Sequence, residues 1–487
     1  MAFSMAWAGG GGEGAVGRLA GFRAEVRGCF TRRGDALLEL GDAVLCGGGR
    51  VGDLAHLSLE PEFGRGHGAL YDGLNAGRVE VARLRRAVAG LALPPWPDGR
   101  IRLAVDVSAW LRPGAVTSPE RLYCPVRGRG RRAGQVTPGW PYSVVAALGP
   151  GASSWVVVLD AVRLGPADDA CVVTAAQIRE VTGRLAAAGH WQQGDPPVLV
   201  TLDAGYNPAR LQFLLADVPV MLVVRVRSTR VFRRTPPPKE YGEPGRQRRH
   251  GLPLRCSDPQ TWEGAAVSRA PHGRHGDLTV RAWPWLHQQL GRHSGGWEDW
   301  PAGQDLPVIE GSVIYLEPAR RSRGGPGPLW LWCSDGAARP AVVAAAWQAY
   351  LRRFDIEHVF RFLKHTLGWD KPMLRDPRAA DRWTWLLIAC YNQLWLARGL
   401  AGTAGRMPWN PPRPATMLTP GRVRQGFRRV RAALPILASP AKPARPGPGR
   451  PPGSKNKIKA PRQPVGKTSP KTRRHTKKQT KRAKQTG

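Results

Sequence analysis

The sequence lacks acidic residues at its carboxyl-terminal end. No Asp or Glu follows Asp381, while the last 106 residues carry 25 of the 73 Lys and Arg. Lysine is scarce elsewhere, because 10 of the 13 lysines lie in residues 441–487. The formal net charge is +37 and the isoelectric point is about 11.3. This balance argues against an ordinary enzyme for acidic small molecules and favours a polyanionic partner, with nucleic acid the first candidate.

Paired cysteines and long apolar runs are also missing. The seven cysteines form no C-x-x-C pair and no zinc spacing, which predicts reduced thiols in a cytosolic protein. Residues 1–20 are glycine-rich and lack the pattern of a secretory signal peptide. The longest uncharged apolar stretch, residues 383–397, contains Asn392 and Gln393 and is shorter than the about 20 residues of a membrane span. We therefore expect a cytoplasmic protein in which this stretch is a buried helix.

A chain of 487 residues predicts several segments, at roughly 150 residues per domain. Composition and periodicity predict a helical domain first and then a sheet-containing core. A β-rich insertion with many glycines, prolines and tryptophans interrupts this core. A basic, proline-rich extension and a disordered basic tail follow. The predicted segments are residues 1–96 (helical), 97–227 (core, first part), 228–327 (insertion), 328–400 (core, second part), 401–440 (extension) and 441–487 (tail).

The last helix of the first segment is rich in arginine. Arg78, Arg83, Arg85 and Arg86 lie within or beside the apolar pattern of residues 79–91. A compact DNA-binding head related to the helix-turn-helix is one interpretation, and a helical bundle with a solvated basic face is the other. The sequence does not separate them.

The core has the pattern of a mixed α/β sheet. Residues 101–106, 142–148 and 155–159 predict three strands in series, and residues 197–203 predict a central strand that is buried on both faces. Helices are expected at residues 172–188 and 211–215, and a further strand at 218–226. The order β-β-β-α-β-α-β predicts RNase H-like connectivity, with flanking helices.

One segment places four polar residues on one side of a predicted helix that spans residues 341–367. Relative to Tyr350 and at 100° per residue, Arg353, Glu357 and Lys364 fall at 300°, 340° and 320°. An apolar stripe lies beside them, so the helix buries one flank and keeps the polar row at its rim. A carboxylate can bind a hard divalent cation, and the phenol and the two cations can contact phosphate oxygens.

Two further acids close predicted strands. Asp106 follows the first strand and Asp203 follows the central strand, and in a sheet of this order the two strands are neighbours. Together with Glu357, these carboxylates would hold two Mg²⁺ ions, one at the nucleophile and one at the leaving oxygen. Asp160, which closes another strand, competes with Asp106 for the first position. Asp355 lies at 140° on the helix and is expected to form an ion pair instead.

The spacing Tyr-x₂-Arg-x₃-Glu-x₆-Lys, met by Tyr350, Arg353, Glu357 and Lys364, resembles the YREK signature of DDE transposases of bacterial insertion sequences. The resemblance spans roughly residues 101–400 and includes the Asp203-Ala-Gly-Tyr context. It implies an RNase H-like catalytic core in which three acids bind two Mg²⁺ ions, for which Mn²⁺ would substitute. It also implies that the protein binds double-stranded DNA, both at the ends of its element and at the target site. A homodimer in a synaptic complex, associated with the bacterial nucleoid, is implied as well.

Basic residues elsewhere are candidates for DNA contact. The loop after the first strand is rich in arginine, and a phosphate clamp there competes with a solvated loop. In the tail, residues 449–455 resemble an AT-hook, with a generic electrostatic tether as the equal alternative. The insertion tryptophans are expected mainly to pack their own subdomain, although one could stack on an extruded base. The residues are Arg127, Arg129, Arg131 and Arg132 in the loop, and Arg450 and Lys455 in the tail.

The sequence therefore predicts a DNA transposase that hydrolyses phosphodiesters at element ends and transfers the strand to target DNA. An RNase H-like nuclease without strand transfer, and a non-catalytic DNA-binding protein derived from a transposase, are the alternatives.

Overall fold

The structure is a computed structural model, and it describes most of the residues between 12 and 466. Among the residues that it describes, no helix is long and apolar enough to cross a membrane. The described residues are 12–126, 135–151, 154–242, 244–272, 276–319, 327–401, 409, 411, 414, 417–442, 451, 453–454 and 459–466.

The amino-terminal part is largely helical. Its elements are α1 (Gly12–Cys29), β1 (Phe30–Arg32), α2 (Gly34–Cys46), α3 (Leu54–Leu57), α4 (His67–Ala76), β2 (Arg78–Val79) and α5 (Val81–Ala89). Three of the four arginines near α5 have partners within the protein: Arg85 pairs with Asp160, Arg83 donates to the Gly28 carbonyl, and Arg78 pairs with Glu80. The DNA-binding interpretation of this segment and the helical-bundle interpretation both stay predictions.

A large mixed sheet follows. Its first part contains β3 (Arg102–Leu111), β4 (Arg121–Pro125), β5 (Val136–Leu148), β6 (Val156–Arg163), α6 (Ala170–Ala187), β7 (Val198–Leu202), α7 (Pro208–Leu214) and β8 (Val220–Val226). β3, β5 and β6 form the expected antiparallel meander, and β7 lies parallel to both β3 and β8. All five residues of β7 are buried, which confirms the prediction of a central strand. The strand β4 lies in a segment predicted as loop.

The insertion extends this sheet. Its strands are β9 (Val231–Arg234), β10 (Pro253–Arg255), β11 (Ala266–His272), β12 (Gly276–His287) and β13 (Glu310–Pro318), followed by β14 (Leu329–Cys333). β14 pairs with β8, and β13 and β12 continue outward, so the added strands share hydrogen bonds with the core. Among the described residues, thirteen strands form one sheet in the order β10-β9-β12-β13-β14-β8-β7-β3-β5-β4-β15, with β11 on β12 and β6 on β5.

Helices cover both faces of the sheet. They are α8 (Pro340–Arg352), α9 (Asp355–His365), α10 (Pro377–Ala401) and α11 (Pro420–Ala432), and the last strand is β15 (Val465–Gly466). Alternate residues of β7 and β8 point to opposite faces. Leu199 and Val223 pack with α8, while Val200 and Leu222 belong to the main core, which also contains the residues of α10.

Residues 383–397 lie within α10 and are almost entirely buried, as the sequence predicts. The amino-terminal helices and α11 pack on α10, so both ends of the helical region share one apolar core with the sheet.

Eight residues of the tail depart from the prediction of disorder beyond about residue 440. Residues 459–466 lie against the sheet, where Val465 and Gly466 form the parallel strand β15 beside β4. The Gln463 amide donates to the Val116 carbonyl, and a Cβ atom at Gly466 would lie 2.6 Å from Pro166. The Gly466 backbone therefore lies close to the Pro166 side chain, where a larger residue would not fit, and the basic, proline-containing sequence does not predict this contact.

Candidate active site

Asp106 and Asp203 lie side by side on neighbouring parallel strands. The parallel pairing of β3 and β7 ends at Val105 and Leu202, and each acid is the next residue of its strand. The prediction that Asp106 ends its strand is wrong, because β3 continues to Leu111 with β5 as its partner. Asp106 therefore lies in mid-strand and is buried, and its Oδ1 accepts a bond from the Val107 amide.

The segment from Tyr350 to Lys364 is not the single helix that its periodicity predicts. α8 ends at Arg352 and α9 begins at Asp355, although Arg353 and Phe354 keep right-handed helical dihedral angles. The amide of Glu357 bonds to the Phe354 carbonyl three residues back, as Arg353 does to Tyr350. Three-residue bonds tighten the backbone relative to an α-helix. The junction therefore gives Arg353 and Phe354 a local geometry that a regular helix would not have.

The guanidinium of Arg353 lies among all three predicted acids. Its Nη1 is 3.0 Å from Asp106 Oδ2, and its Nη2 is 3.6 Å from Glu357 Oε1 and 3.9 Å from Asp203 Oδ1. Only 2% of the Arg353 side chain is exposed. The structure thus brings three acids, which are distant in the sequence, together around one buried cation.

Burial and charge act in opposite directions on this cluster. Burial alone would lower the pKa of Arg353, but Tyr350 and the three carboxylates raise that pKa above its usual value. Burial also raises the pKa of the Tyr350 phenol, although Arg353 opposes this. A guanidinium that stays charged in the interior requires such compensation by acidic groups.

Lys364 fixes α9 to the strand that carries Asp106. Its Nζ donates to the Ala109 carbonyl at 2.8 Å and lies 5.4 Å from the Trp369 ring. Burial lowers the pKa of the Lys364 ammonium. Tyr350 is buried as well, so all three basic or phenolic members of the motif face inward here. Their predicted contact with DNA phosphates stays a prediction.

The donor set suits a hard divalent cation, since carboxylate oxygens are what Mg²⁺ prefers. An oxygen atom of each acid lies within 4.0 Å of a nitrogen of the same Arg353 guanidinium, so the three side chains surround one cation. Within the described part of the chain, however, no three acidic, histidine or cysteine side chains are close enough to hold a metal ion. Arg353 lies in the space between the carboxylates.

Two other acids are engaged elsewhere. Asp160, the competing candidate, is completely buried on β6 and forms ion pairs with Arg85 and Arg184. It connects α5 and α6 to the sheet and does not join the cluster. Asp355 pairs with Arg352 at 2.6 Å, as expected for a residue that points away from the polar row.

Sequence reasoning missed two residues at the cluster. Arg225, on β8, extends its Nη1 to 4.0 Å from Asp203 Oδ1 and has a side chain that is 44% exposed. The signal was a single charged residue in the otherwise apolar sequence of β8. Phe354 is 46% exposed, and its ring centre lies 5.4 Å from the Arg353 guanidinium carbon.

Several predicted DNA contacts cannot be placed relative to this cluster. Two other arginines of the loop after β3 are buried: Arg112 donates to the carbonyls of Pro372 and Leu374, and Arg121 to that of Ser118. Part of the basic loop is therefore structural. The loop residues Arg127, Arg129, Arg131 and Arg132 and the tail residues Arg450 and Lys455 lie outside the described residues.

The insertion tryptophans mostly pack together, as the sequence analysis expects. Trp262, Trp283 and Trp330 form one aromatic cluster, and Trp297 and Trp300 pack on Phe213. Trp285 differs, since it is 53% exposed and has a positive φ of 50°.

Residues 25–289 match the family model described as DDE superfamily endonuclease. The match covers more than half of the chain and includes Asp106 and Asp203, but it ends before Glu357. A search of curated proteins found no match.

Proposed function

Because this chain belongs to the DDE superfamily endonuclease family, we propose that it is a DNA transposase. It would hydrolyse phosphodiesters at the ends of its element with Mg²⁺ and transfer the new 3′ end to target DNA. Asp106, Asp203 and Glu357 would be its metal-binding acids. The single observation that carries this proposal is the convergence of these three acids on Arg353.

The strand arrangement supports an RNase H-like core. β6, β5, β3, β7 and β8 lie in this order, with β5 antiparallel to β3 and β6, and with β3, β7 and β8 mutually parallel. The resemblance implies this arrangement, with the first acid on β3, the second after β7 and the third on a late helix. We propose the predicted segments at residues 97–227 and 328–400 as the two parts of this core, separated by the insertion.

When bound, two Mg²⁺ ions would activate a water or 3′-hydroxyl nucleophile and stabilise the leaving oxygen. The protein's own residues define where this occurs. The pairing of β3 with β7 aligns Asp106 and Asp203 at the same position along the two strands, and Glu357 approaches them from α9. Because β3 and β7 are buried, the backbones that carry Asp106 and Asp203 stay in place without help from DNA.

DNA would lie along the exposed side of the cluster. Arg225 is exposed beside Asp203 and would contact a phosphate next to the scissile bond. Tyr350, Arg353 and Lys364 would contact phosphates only after the side chains move outward. We propose that the basic loop and tail add sequence-independent contacts, and that two copies assemble when two element ends meet.

Conservative substitution of the acids tests the catalytic role. Asp203→Asn and Glu357→Gln keep the size of each side chain but remove its charge. We expect both variants to lose cleavage of an end-sequence duplex in Mg²⁺ or Mn²⁺ by at least about 100-fold and to retain DNA binding. Product formation on a denaturing gel and binding by fluorescence anisotropy give the two measurements.

Matched controls are Asp217→Asn and Glu298→Gln, two exposed acids outside the cluster, and both should cleave normally. Full activity in Asp203→Asn or Glu357→Gln would refute the assignment. Cleaved products without joined products would favour the RNase H-like nuclease. Metal-independent binding without any cleavage would favour a non-catalytic DNA-binding protein.

A further inference from the structure

Arg353 occupies the point at which the three carboxylates converge. Its guanidinium contacts Asp106 directly and lies within 4.0 Å of Glu357 and Asp203. The side chain is buried between the rings of Tyr350 and Phe354, whose centres lie 5.6 and 5.4 Å from the guanidinium carbon. A charged group in such a position affects every other cation that approaches the same oxygens.

Three carboxylates in a partly buried space repel each other unless a cation lies between them. The repulsion between like charges a few ångströms apart is large when water is excluded. A planar guanidinium can donate to several oxygens at once, which makes it a suitable counter-ion for a site with more than one carboxylate. Arg353 therefore stabilises the convergence of the acids before any metal is present.

A carboxylate oxygen that accepts a hydrogen bond from the guanidinium cannot also form a short bond to a divalent ion. Asp106 Oδ2 accepts from Arg353 at 3.0 Å, whereas a Mg²⁺–oxygen bond is about 2.1 Å long. Positive charges also repel each other at this separation. The guanidinium must withdraw from the acids before a metal ion can bind them closely.

We propose that Arg353 is a positioning residue that holds Asp106, Asp203 and Glu357 together in the metal-free protein and competes with divalent ions for them. This inference rests on the proposed function, because it concerns the same metal-binding acids. The junction between α8 and α9 is the place where the backbone could turn the side chain outward. Withdrawal from the acids would then free the guanidinium for a DNA phosphate, which joins metal binding to DNA binding.

Arg353 could compete with metal ions for the acids or could only support the fold, and these two roles predict opposite changes in metal affinity when Arg353 is replaced. If Arg353 only supported the fold, its loss would disorder the acids and weaken metal binding. If it competes, its loss removes the buried cation nearest to all three carboxylates, which then bind metal more tightly. A metal ion binds only those molecules in which Arg353 leaves the acids open, so the apparent metal affinity is the intrinsic affinity multiplied by the open fraction. If the wild-type site is open about 10% of the time, removing Arg353 raises the apparent metal affinity about tenfold.

The experiment measures Mn²⁺ binding to the full chain without DNA, by loss of the free-ion electron paramagnetic resonance signal. We expect Arg353→Gln to bind Mn²⁺ about tenfold more tightly than wild type, and to show a larger rise in melting temperature on addition of Mn²⁺. Arg353→Lys should lie between them, because one ammonium group reaches fewer oxygens. Arg23→Gln is the matched control, since Arg23 is equally buried and pairs with Asp42 far from the cluster.

Tighter binding in Arg353→Gln, with wild-type affinity in Arg23→Gln, supports the proposal. Equal or weaker binding in Arg353→Gln overturns it but leaves the proposed function intact if wild type still cleaves DNA. If Arg353→Gln does not fold, Arg353→Lys decides by the same criterion. If no protein binds Mn²⁺ and wild type does not cleave, both the inference and the proposed function fail.

Discussion

Charged side chains inside the protein come in compensated groups. Asp160 has no exposed surface, and Arg85 and Arg184 contact its two oxygens at 3.0 and 2.6 Å. Arg23 is similarly buried against Asp42. Removing one partner of a buried ion pair costs about 3–5 kcal/mol when it leaves the other charge unpaired, but Asp160 and Asp42 each keep a second arginine if one is lost. Arg353 differs from these pairs, because its three acidic neighbours exceed it in charge.

A pair of histidines in the insertion should make stability depend on pH. His287 is buried, and its Nε2 lies 2.8 Å from Nδ1 of His250. Burial, followed by the neighbouring His250, lowers the pKa of His287 to about 4. The folded protein therefore favours neutral His287, whereas the unfolded chain takes up the proton near pH 6.5. The stability that this residue contributes is complete above about pH 6.5 and is lost as the pH falls towards 4.

The expected loss is on the order of 3 kcal/mol. Thermal unfolding of wild type and His287→Gln between pH 7 and 4 measures it, because titratable groups outside the His250–His287 pair are the same in both proteins. The melting temperature of wild type should fall more steeply with decreasing pH. His293→Gln, at an exposed position, should follow wild type. Parallel profiles for wild type and His287→Gln would contradict the prediction.

At the scale of elements, helix α10 compensates an irregularity in the sheet. The pairing of β5 with β6 shifts register between Val145 and Ala146, which leaves Val158 beside a bulge. Asn392 of α10 donates to the Val158 carbonyl at 2.8 Å and accepts from its amide at 3.2 Å. The polar residue that argues against a membrane helix in the sequence thus binds backbone groups of β6, which pairs only with β5 among the described strands.

Asn392→Leu should destabilise the protein by about 2–4 kcal/mol, because a buried amide and a buried carbonyl both lose their partner. Chemical denaturation of the two proteins gives the difference in unfolding free energy. Asn75→Ala, an exposed asparagine, should change it by less than about 0.5 kcal/mol. Wild-type stability in Asn392→Leu would show that water or a shifted backbone replaces the lost bonds.

The sequence predicts the central strands well, because burial on both faces produces continuous apolar runs such as residues 197–203. The acid that follows such a run marks an edge of the sheet, which is how Asp203 could be identified. Hydrophobic periodicity does not distinguish backbone hydrogen bonds that span three residues from those that span four. It therefore could not predict the junction between α8 and α9 at Arg353. The continuation of β3 past Asp106 was also missed, since its partner β5 is distant in sequence. The direction of the Arg353 side chain depends on neighbours from three elements.

At the scale of the whole molecule, the two ends of the chain are joined through helices. Arg431 of α11 contacts Asp42 of α2, and Arg23 of α1 also donates to Gln393 of α10. Arg428 pairs with Glu60 and Glu62. Residues beyond the matched region 25–289 therefore contact acidic residues of the amino-terminal part that lie inside it.

The last 21 residues should dominate salt-dependent DNA binding. Residues 467–487 contain nine Lys and Arg and no acid. Each phosphate that a cation neutralises contributes about 0.9 to the slope of log affinity against log salt. Removing residues 467–487 should therefore reduce this slope by up to about eight, as anisotropy titrations on a random duplex would measure. A version with these residues in shuffled order should keep the slope, and an unchanged slope after removal would contradict the prediction.

The short strand β15 has a practical consequence for shortened versions of this protein. Among the described residues it is the last strand on its side of the sheet, and it covers the backbone hydrogen-bonding groups of Arg121 and Leu122 on β4. An uncovered outer strand can pair with the same strand of another molecule and start aggregation. A chain truncated for crystallisation should therefore end after Gly466, so that the protein supplies its own cover and stays monodisperse.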